Sequence, residues 1–201
     1  MCRPAPAEAD PGGMTNRPLR RLLPALALSC AAVALPASAS AAAPCANANL
    51  VPTATNGPQV RAATLCLINR ERTSRGLRAL RHDRQLRKVA QSYSHSMVRD
   101  SFFDHVGSDG STVLGRIKGR TTYLKGVNRY SVGENLYWGT DVRGTPQASV
   151  RGWLSSPPHR RNMLNPRFRD IGIGIVLGAP DEAGDTSAAT YTTEFGTRSF
   201  G

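Results

Sequence analysis

The chain has 201 residues and a formal charge of +12, with 26 Lys and Arg against 14 Asp and Glu. That length suits one domain and excludes two comfortable ones. The cationic surplus favours anionic surfaces such as wall polymers or acidic head groups, but the arginines are scattered and not interleaved with aromatics, which argues against nucleic acid as a partner.

The first stretch reads as a leader. Arg17, Arg20 and Arg21 precede an apolar run from Leu22 to Leu35, and Pro36 and small residues follow through Ala43. This is the layout of a secretory signal peptide, with Ala37-Ser38-Ala39 or Ala41-Ala42-Ala43 as its cleavage site. Residues 1–43 are therefore expected to be removed and the protein secreted to the extracellular space. The run is shorter than the roughly 20 residues of a spanning helix, so no membrane span is expected. Residues 1–13 carry Glu8, Asp10 and three prolines, which suits no part of a signal peptide and puts the true start at Met14. The Ala-rich, Arg-over-Lys composition points to a bacterial gene of high GC content. The leader holds four arginines and two acids, so its loss leaves +10. Neither Cys30 nor Cys45 sits in a lipoprotein processing sequence. After cleavage Cys45 and Cys66 remain, and export favours one disulfide between them. Closing that loop of about 20 residues would stabilise by ~3 kcal/mol in the chain-entropy model.

Residues 44–59 form an irregular arm tied down by Cys45. From Val60 the chain turns helical: Val60, Ala63, Thr64, Leu67, Ile68 and Glu71 recur at helical spacing, and Gly76 stops the run. Cys66 lies about 130° from the centre of that stripe, on the side a surface arm can reach. Asp83 caps a second helix whose buried stripe is Leu86, Val89, Ala90, Tyr93 and Met97. His95 falls off that stripe and is expected in solvent, as is His82. Ser111 is expected to cap a short third helix with Val113, Leu114 and Ile117, and residues 119–129 read as loop. Residues 131–138 form an extended segment. Thr145-Pro146 starts a helix carrying Val150, Trp153 and Leu154, which Pro157 and Pro158 stop. The following turn presents His159, and Pro166 ends the short piece after it. Residues 170–177 alternate strictly, with Ile171, Ile173, Ile175 and Leu177 on one side and Gly172, Gly174 and Val176 on the other. This is the clearest strand, and its glycines allow close packing over one face. A turn-rich acidic loop at 178–187 leads to a β-prone run at 190–195, expected to be the hairpin partner. Helices come early and strands late, which gives an α+β chain with an antiparallel sheet.

Three ionisable residues stand out. His105 follows Phe102-Phe103-Asp104, Glu134 lies in Gly133-Glu134-Asn135, and His159 lies in Ser156-Pro157-Pro158-His159-Arg160-Arg161-Asn162. These motifs stand in order with Leu67-Ile68-Asn69-Arg70-Glu71-Arg72, Gly76-Leu77, Asp109-Gly110, Trp153, Gly172-Ile173-Gly174 and Tyr191-Thr192-Thr193-Glu194-Phe195-Gly196. The ordered set resembles a secreted bacterial CAP domain, also called the SCP or pathogenesis-related domain, over residues 60–201. The resemblance implies an α-β-α sandwich with a small, mainly antiparallel sheet. It also implies a cleft of two histidines and glutamate that can hold a divalent cation, here His105, Glu134 and His159. A second family glutamate has no match, since Ser155 and Ser156 occupy that stretch, and Glu194 stands where many relatives carry glutamine. The resemblance further implies recognition of sterols, fatty acids or other lipids.

Chemically, His-His-Glu suits Zn²⁺ or another divalent cation with an open position for water. The alternative without metal is a hydrogen-bonded polar network at the base of the cleft. A third arrangement is a hydrolase of peptide or ester bonds, with Ser156 or Ser155 as nucleophile, His159 as base and Glu134 as orienter. No oxyanion-hole element or HExxH accompanies it. The expectation is thus a secreted monomer that binds a small hydrophobic or wall-derived ligand. Tyr130, Tyr137, Trp138 and Trp153 could line a groove beside the cleft, although Trp153 on a helix stripe reads as core.

Overall fold

The computed structural model describes residues 43–181, 185 and 187–201. The leader, its start at Met14 and part of the acidic loop lie outside the described residues.

Helix α1 (Gly57–Thr73) buries Val60, Ala63, Thr64, Leu67 and Ile68 and leaves Cys66 exposed. The arm reaches that exposed side, and Cys45 and Cys66 form the disulfide. Backbone bonding from Gln147 to the Ala48 carbonyl, at 2.8 Å, holds the arm as well. Strand β1 (Arg81–His82) leads to α2 (Arg84–Arg99), where the Asp83 carboxylate accepts from the Gln85 and Leu86 amides. All five residues of its expected stripe are buried, and His95 is exposed.

Helix α3 (Val113–Arg120) is capped by Thr112, not Ser111. The Ser111 amide is taken by Asp109, and its carbonyl accepts from Gly107 and Arg116. The helix also extends into residues read as loop. Strand β2 (Arg129–Thr140), a 3₁₀ turn (Asp141–Gly144) and α4 (Pro146–Ser155) follow, with Thr145 capping α4. The two prolines do end α4, but they open α5 (Pro157–Met163) instead of a turn. A proline in the first helical turn lacks only an amide hydrogen that would have no intrahelical partner. His159 is therefore helical.

Strands β3 (Asp170–Leu177) and β4 (Ala188–Ser199) complete a four-stranded sheet in the order β1-β3-β4-β2. β4 is antiparallel to both β3 and β2, and the short β1 is parallel to β3. One face packs on α2 and α3. A Cβ at Gly172 or Gly174 would come within 2.1 or 2.2 Å of the α2 backbone, so these glycines let the helix rest on the strand. The other face carries Ile171, Ile173, Tyr191 and Phe195 against Val60, Leu67 and Ile68 of α1 and Val150 and Trp153 of α4. The result is a three-layer α-β-α sandwich. Trp153 is fully buried, with its Nε1 donating to the Leu136 carbonyl at 2.8 Å. Tyr137 packs edge-on against it, whereas Tyr130 is exposed near the other end of β2. With Trp153 in the core, Tyr137 packed on it and Tyr130 exposed at the other end of β2, these three do not share one groove. Among the described residues no helix is long and apolar enough to cross a membrane.

Candidate functional site

β2 is an edge strand, so groups from both helical layers can meet around it. Glu134 points to the α2–α3 side, where its side chain is 1% exposed. From that side α3 supplies Arg116, itself fully buried, whose Nη2 donates to Glu134 Oε2 at 2.6 Å. The Arg116 guanidinium lies 3.4 Å from the centre of the Tyr93 ring. Its Nη1 donates to the carbonyls of His105 and Ser111, at 3.1 and 2.8 Å. The Tyr93 hydroxyl donates to the Asp104 carbonyl at 2.6 Å. The loop bearing His105 is thus pinned through its own backbone by Arg116, the residue that neutralises Glu134, and by Tyr93.

His105 Nδ1 lies 2.8 Å from Glu134 Oε1. A carboxylate paired with Arg116 can only accept, so Nδ1 carries the hydrogen and Nε2 is turned away from Glu134. His105 is half exposed, at 51%. The hydrogen bond to Glu134 holds its pKa above the ordinary imidazole value.

The opposite layer brings His159. The Asn135 side chain donates to the His159 carbonyl at 2.9 Å, and Asn162 Nδ2 donates to the Glu134 carbonyl and to Asn135 Oδ1, both at 3.0 Å. The bond to the Glu134 carbonyl occupies one backbone acceptor of β2 with a side chain, and the other two tie α5 to the strand through Asn135. A Cβ at Gly133 would lie 3.0 Å from Phe168 and 3.2 Å from Asn162 Oδ1, so glycine leaves room for this docking. The two imidazole rings stand 6.3 Å apart, tilted by 45°. Burial, then the neighbouring His105, lowers the pKa of His159.

Glu194 on β4 faces Glu134 directly across the rung. It is fully buried, and neither of its oxygens has a hydrogen-bond partner among the described residues. Burial first, and the charge of Glu134 second, push its pKa well above the ordinary carboxyl value, which favours the neutral acid.

The fold brings His105, Glu134 and His159 together, with Glu134 joined to His105 and not to His159. Ser155 Oγ donates to the Arg151 carbonyl, and Ser156 stands as the N-cap residue of α5. Among the described residues neither hydroxyl is hydrogen-bonded to an imidazole. Among the described residues no group of three or more His, Cys, Asp or Glu is arranged to hold a metal ion. Both Glu134 oxygens are already engaged, which leaves the two imidazoles as the accessible donors. Arg116, and the pairing of Glu194 with Glu134, went unread in the sequence. Arg116 lies three residues after Val113, on the inward side of α3, and that spacing was the available signal.

Residues 65–193 match the CAP family, the cysteine-rich secretory protein family. The chain belongs to it. Among its relatives, the Bacillus subtilis (strain 168) protein YkwD is 34% identical over 110 residues, covering 55% of this chain and 40% of that protein. The membrane protein YlbC of the same organism is 33% identical over 111 residues, covering 55% of this chain and 30% of its own length. The matched region thus spans less than half of either relative. Among solved structures, an outer surface protein from Borrelia burgdorferi superposes with a TM-score of 0.55 at 24% identity, covering 67% of this chain and 90% of that one. An extracellular protein containing a SCP domain from Bacillus anthracis gives 0.52 at 24% identity, covering 72% and 44%. These two likenesses show the CAP fold.

Proposed function

We propose that this CAP protein is exported and acts outside the cell by binding rather than by turnover, its cleft receiving a small hydrophobic or wall-derived ligand beside His105 and His159. The observation that carries this reading is the engagement of Glu134. One oxygen bonds Arg116 and the other bonds His105, so Glu134 is not free to serve as general base or to orient His159. Two imidazoles with ring centres 6.3 Å apart, His105 exposed and His159 half-buried, are suited to hydrogen-bond a ligand. An outer surface protein and an extracellular protein among the structural relatives support export.

A divalent cation fits the same edges in a limited way. With Nδ1 of His105 donating to Glu134, Nε2 is available as a ligand, and Glu134 becomes the group that fixes the tautomer. His105 and His159 would hold the ion, which would supply Lewis acidity and a bound water. Two imidazoles without a carboxylate make a weaker site than the His-His-Glu set expected from the sequence.

The test is calorimetric titration of the purified protein with ZnCl₂, a saturated fatty acid and a peptidoglycan fragment, beside His105→Ala and His159→Ala. Binding of at least one probe that falls in both variants, without conversion of that probe, is expected. Hydrolysis of an ester or peptide probe, lost in Ser156→Ala, would replace this reading with the hydrolase.

A further inference from the structure

At the opposite end of β2 from the 3₁₀ turn lies a concavity of about 570 Å³ between the β2–β4 ladder and the segment leading into β3. Strand alternation divides its lining. In the antiparallel register Arg129 pairs with Ser199 and Ser131 with Thr197, and these side chains share one face. Tyr130 and Arg198 alternate to the other face, where Arg198 stacks 4.0 Å over Tyr123 and Tyr130 lies by Lys118. The hydroxyls of Ser131, Thr197 and Ser199 make no side-chain hydrogen bond among the described residues. Arg167 and Arg169 supply the other wall.

The charge here is uncompensated. Among the described residues no ion pair involves Arg129, Arg167 or Arg169. Arg129 and Arg167 are exposed, while Arg169 Nη1 is fixed on the carbonyls of Pro166 and Phe168. Beneath the segment sits a fourth guanidinium, Arg72, fully buried and without a carboxylate partner among the described residues. It donates to the carbonyls of Arg78, Met163, Asn165 and Phe168. Arg72 therefore holds the arginine-bearing segment rigid and adds a positive charge behind it. A burial this costly, offset only by carbonyl dipoles, leaves a positive potential on the concave surface above.

We infer that this concavity binds the phosphodiester groups of a polyol-phosphate polymer. Guanidinium groups from two walls can share the oxygens of a tetrahedral phosphate, and the free hydroxyls between them match hydroxyl-bearing units that separate one charge from the next. A nucleic-acid strand would need several exposed rings for stacking, and the lining of this concavity offers one, Tyr130. A bilayer is planar and would not enter a concave site. The inference is independent of the histidine cleft.

The test measures binding of the purified protein to poly(glycerol phosphate), with polygalacturonate, single-stranded DNA and vesicles containing phosphatidylglycerol as parallel probes. The paired variant Arg129→Gln with Arg167→Gln should weaken poly(glycerol phosphate) binding tenfold or more. Arg143→Gln with Arg151→Gln, two exposed arginines elsewhere, removes the same charge and should change it less than twofold. Both pairs are exposed, and circular dichroism checks that they fold. Equal loss in the two pairs, or an equal or stronger response to polygalacturonate, DNA or vesicles, would show that net charge or another partner governs binding and would overturn the assignment. Absence of binding to poly(glycerol phosphate) by the wild-type protein would overturn it too.

Discussion

Glu134 on the edge strand and Glu194 on the central strand share one rung of the sheet and are buried to nearly the same degree, yet their surroundings differ at every other point. Glu134 has a guanidinium on one oxygen and an imidazole on the other. Glu194 has no hydrogen-bond partner on either among the described residues, and it faces the charge of Glu134. Two carboxylates this close do not both ionise without a cation for each, and the buried cation that α3 supplies, Arg116, is bonded to Glu134. Edge placement is what lets Glu134 reach partners from α3 and from the His105 loop. A central strand is closed on both sides, and Glu194 has no such access.

The most direct way to break the contrast is to remove the cation. Arg116→Leu leaves Glu134 buried without its guanidinium, beside a second carboxyl and with the half-exposed His105 imidazole as its remaining partner, and should cost about 3–5 kcal/mol in denaturant unfolding. It should also free the loop carbonyls of His105 and Ser111, seen as faster hydrogen exchange there. Loss of less than about 1 kcal/mol, the scale of an exposed ion pair, would mean that Glu134 does not depend on Arg116.

Glu194→Gln sharpens the contrast. A carboxyl whose folded pKa is raised binds protons more tightly when folded, so its contribution to stability falls as pH rises above the unfolded value of about 4.5. The glutamine variant lacks that pH-dependent penalty and should be the more stable of the two at neutral pH. The gain should shrink as pH falls towards 4.5, and unfolding curves at several pH values check it.

His105→Gln should have the smallest effect, below about 1 kcal/mol, because the imidazole is half exposed and solvent screens its bond to Glu134. Its raised pKa gives a stabilisation that is complete below pH 6.5 and is lost as pH rises through the folded value. The difference between wild type and variant should narrow in that direction.

The elements that depend on local pattern were legible in the sequence. The buried stripes of α1 and α2, the outward side of Cys66 and the glycine face of β3 all follow from side-chain period, and the structure has them. So does the nearness of His105, Glu134 and His159, which the ordered motifs implied. What was not legible depends on register and on long contacts. Nothing local shows that Glu194 lies opposite Glu134, since that follows from pairing strands separated by the whole of α4, α5 and β3. An arginine in a short basic helix reads as solvated, and Arg116 is buried only because Tyr93 and Glu134 wait beneath α3. Pro157 and Pro158 carry two meanings, helix stop and helix start, and the structure uses both. The two-residue β1 has no period to read; it exists because Arg81 and His82 pass alongside Asp170 and Ile171.

The measurement that bears most directly on the site is an NMR titration of the His105 and His159 side chains with nitrogen-15 detection of the tautomer. His105 should titrate above 6.5 with its hydrogen on Nδ1 when neutral, and His159 should titrate below 6.5. Coincident midpoints, the reverse order, or a neutral His105 protonated on Nε2 would contradict the assignment of Glu134 to His105.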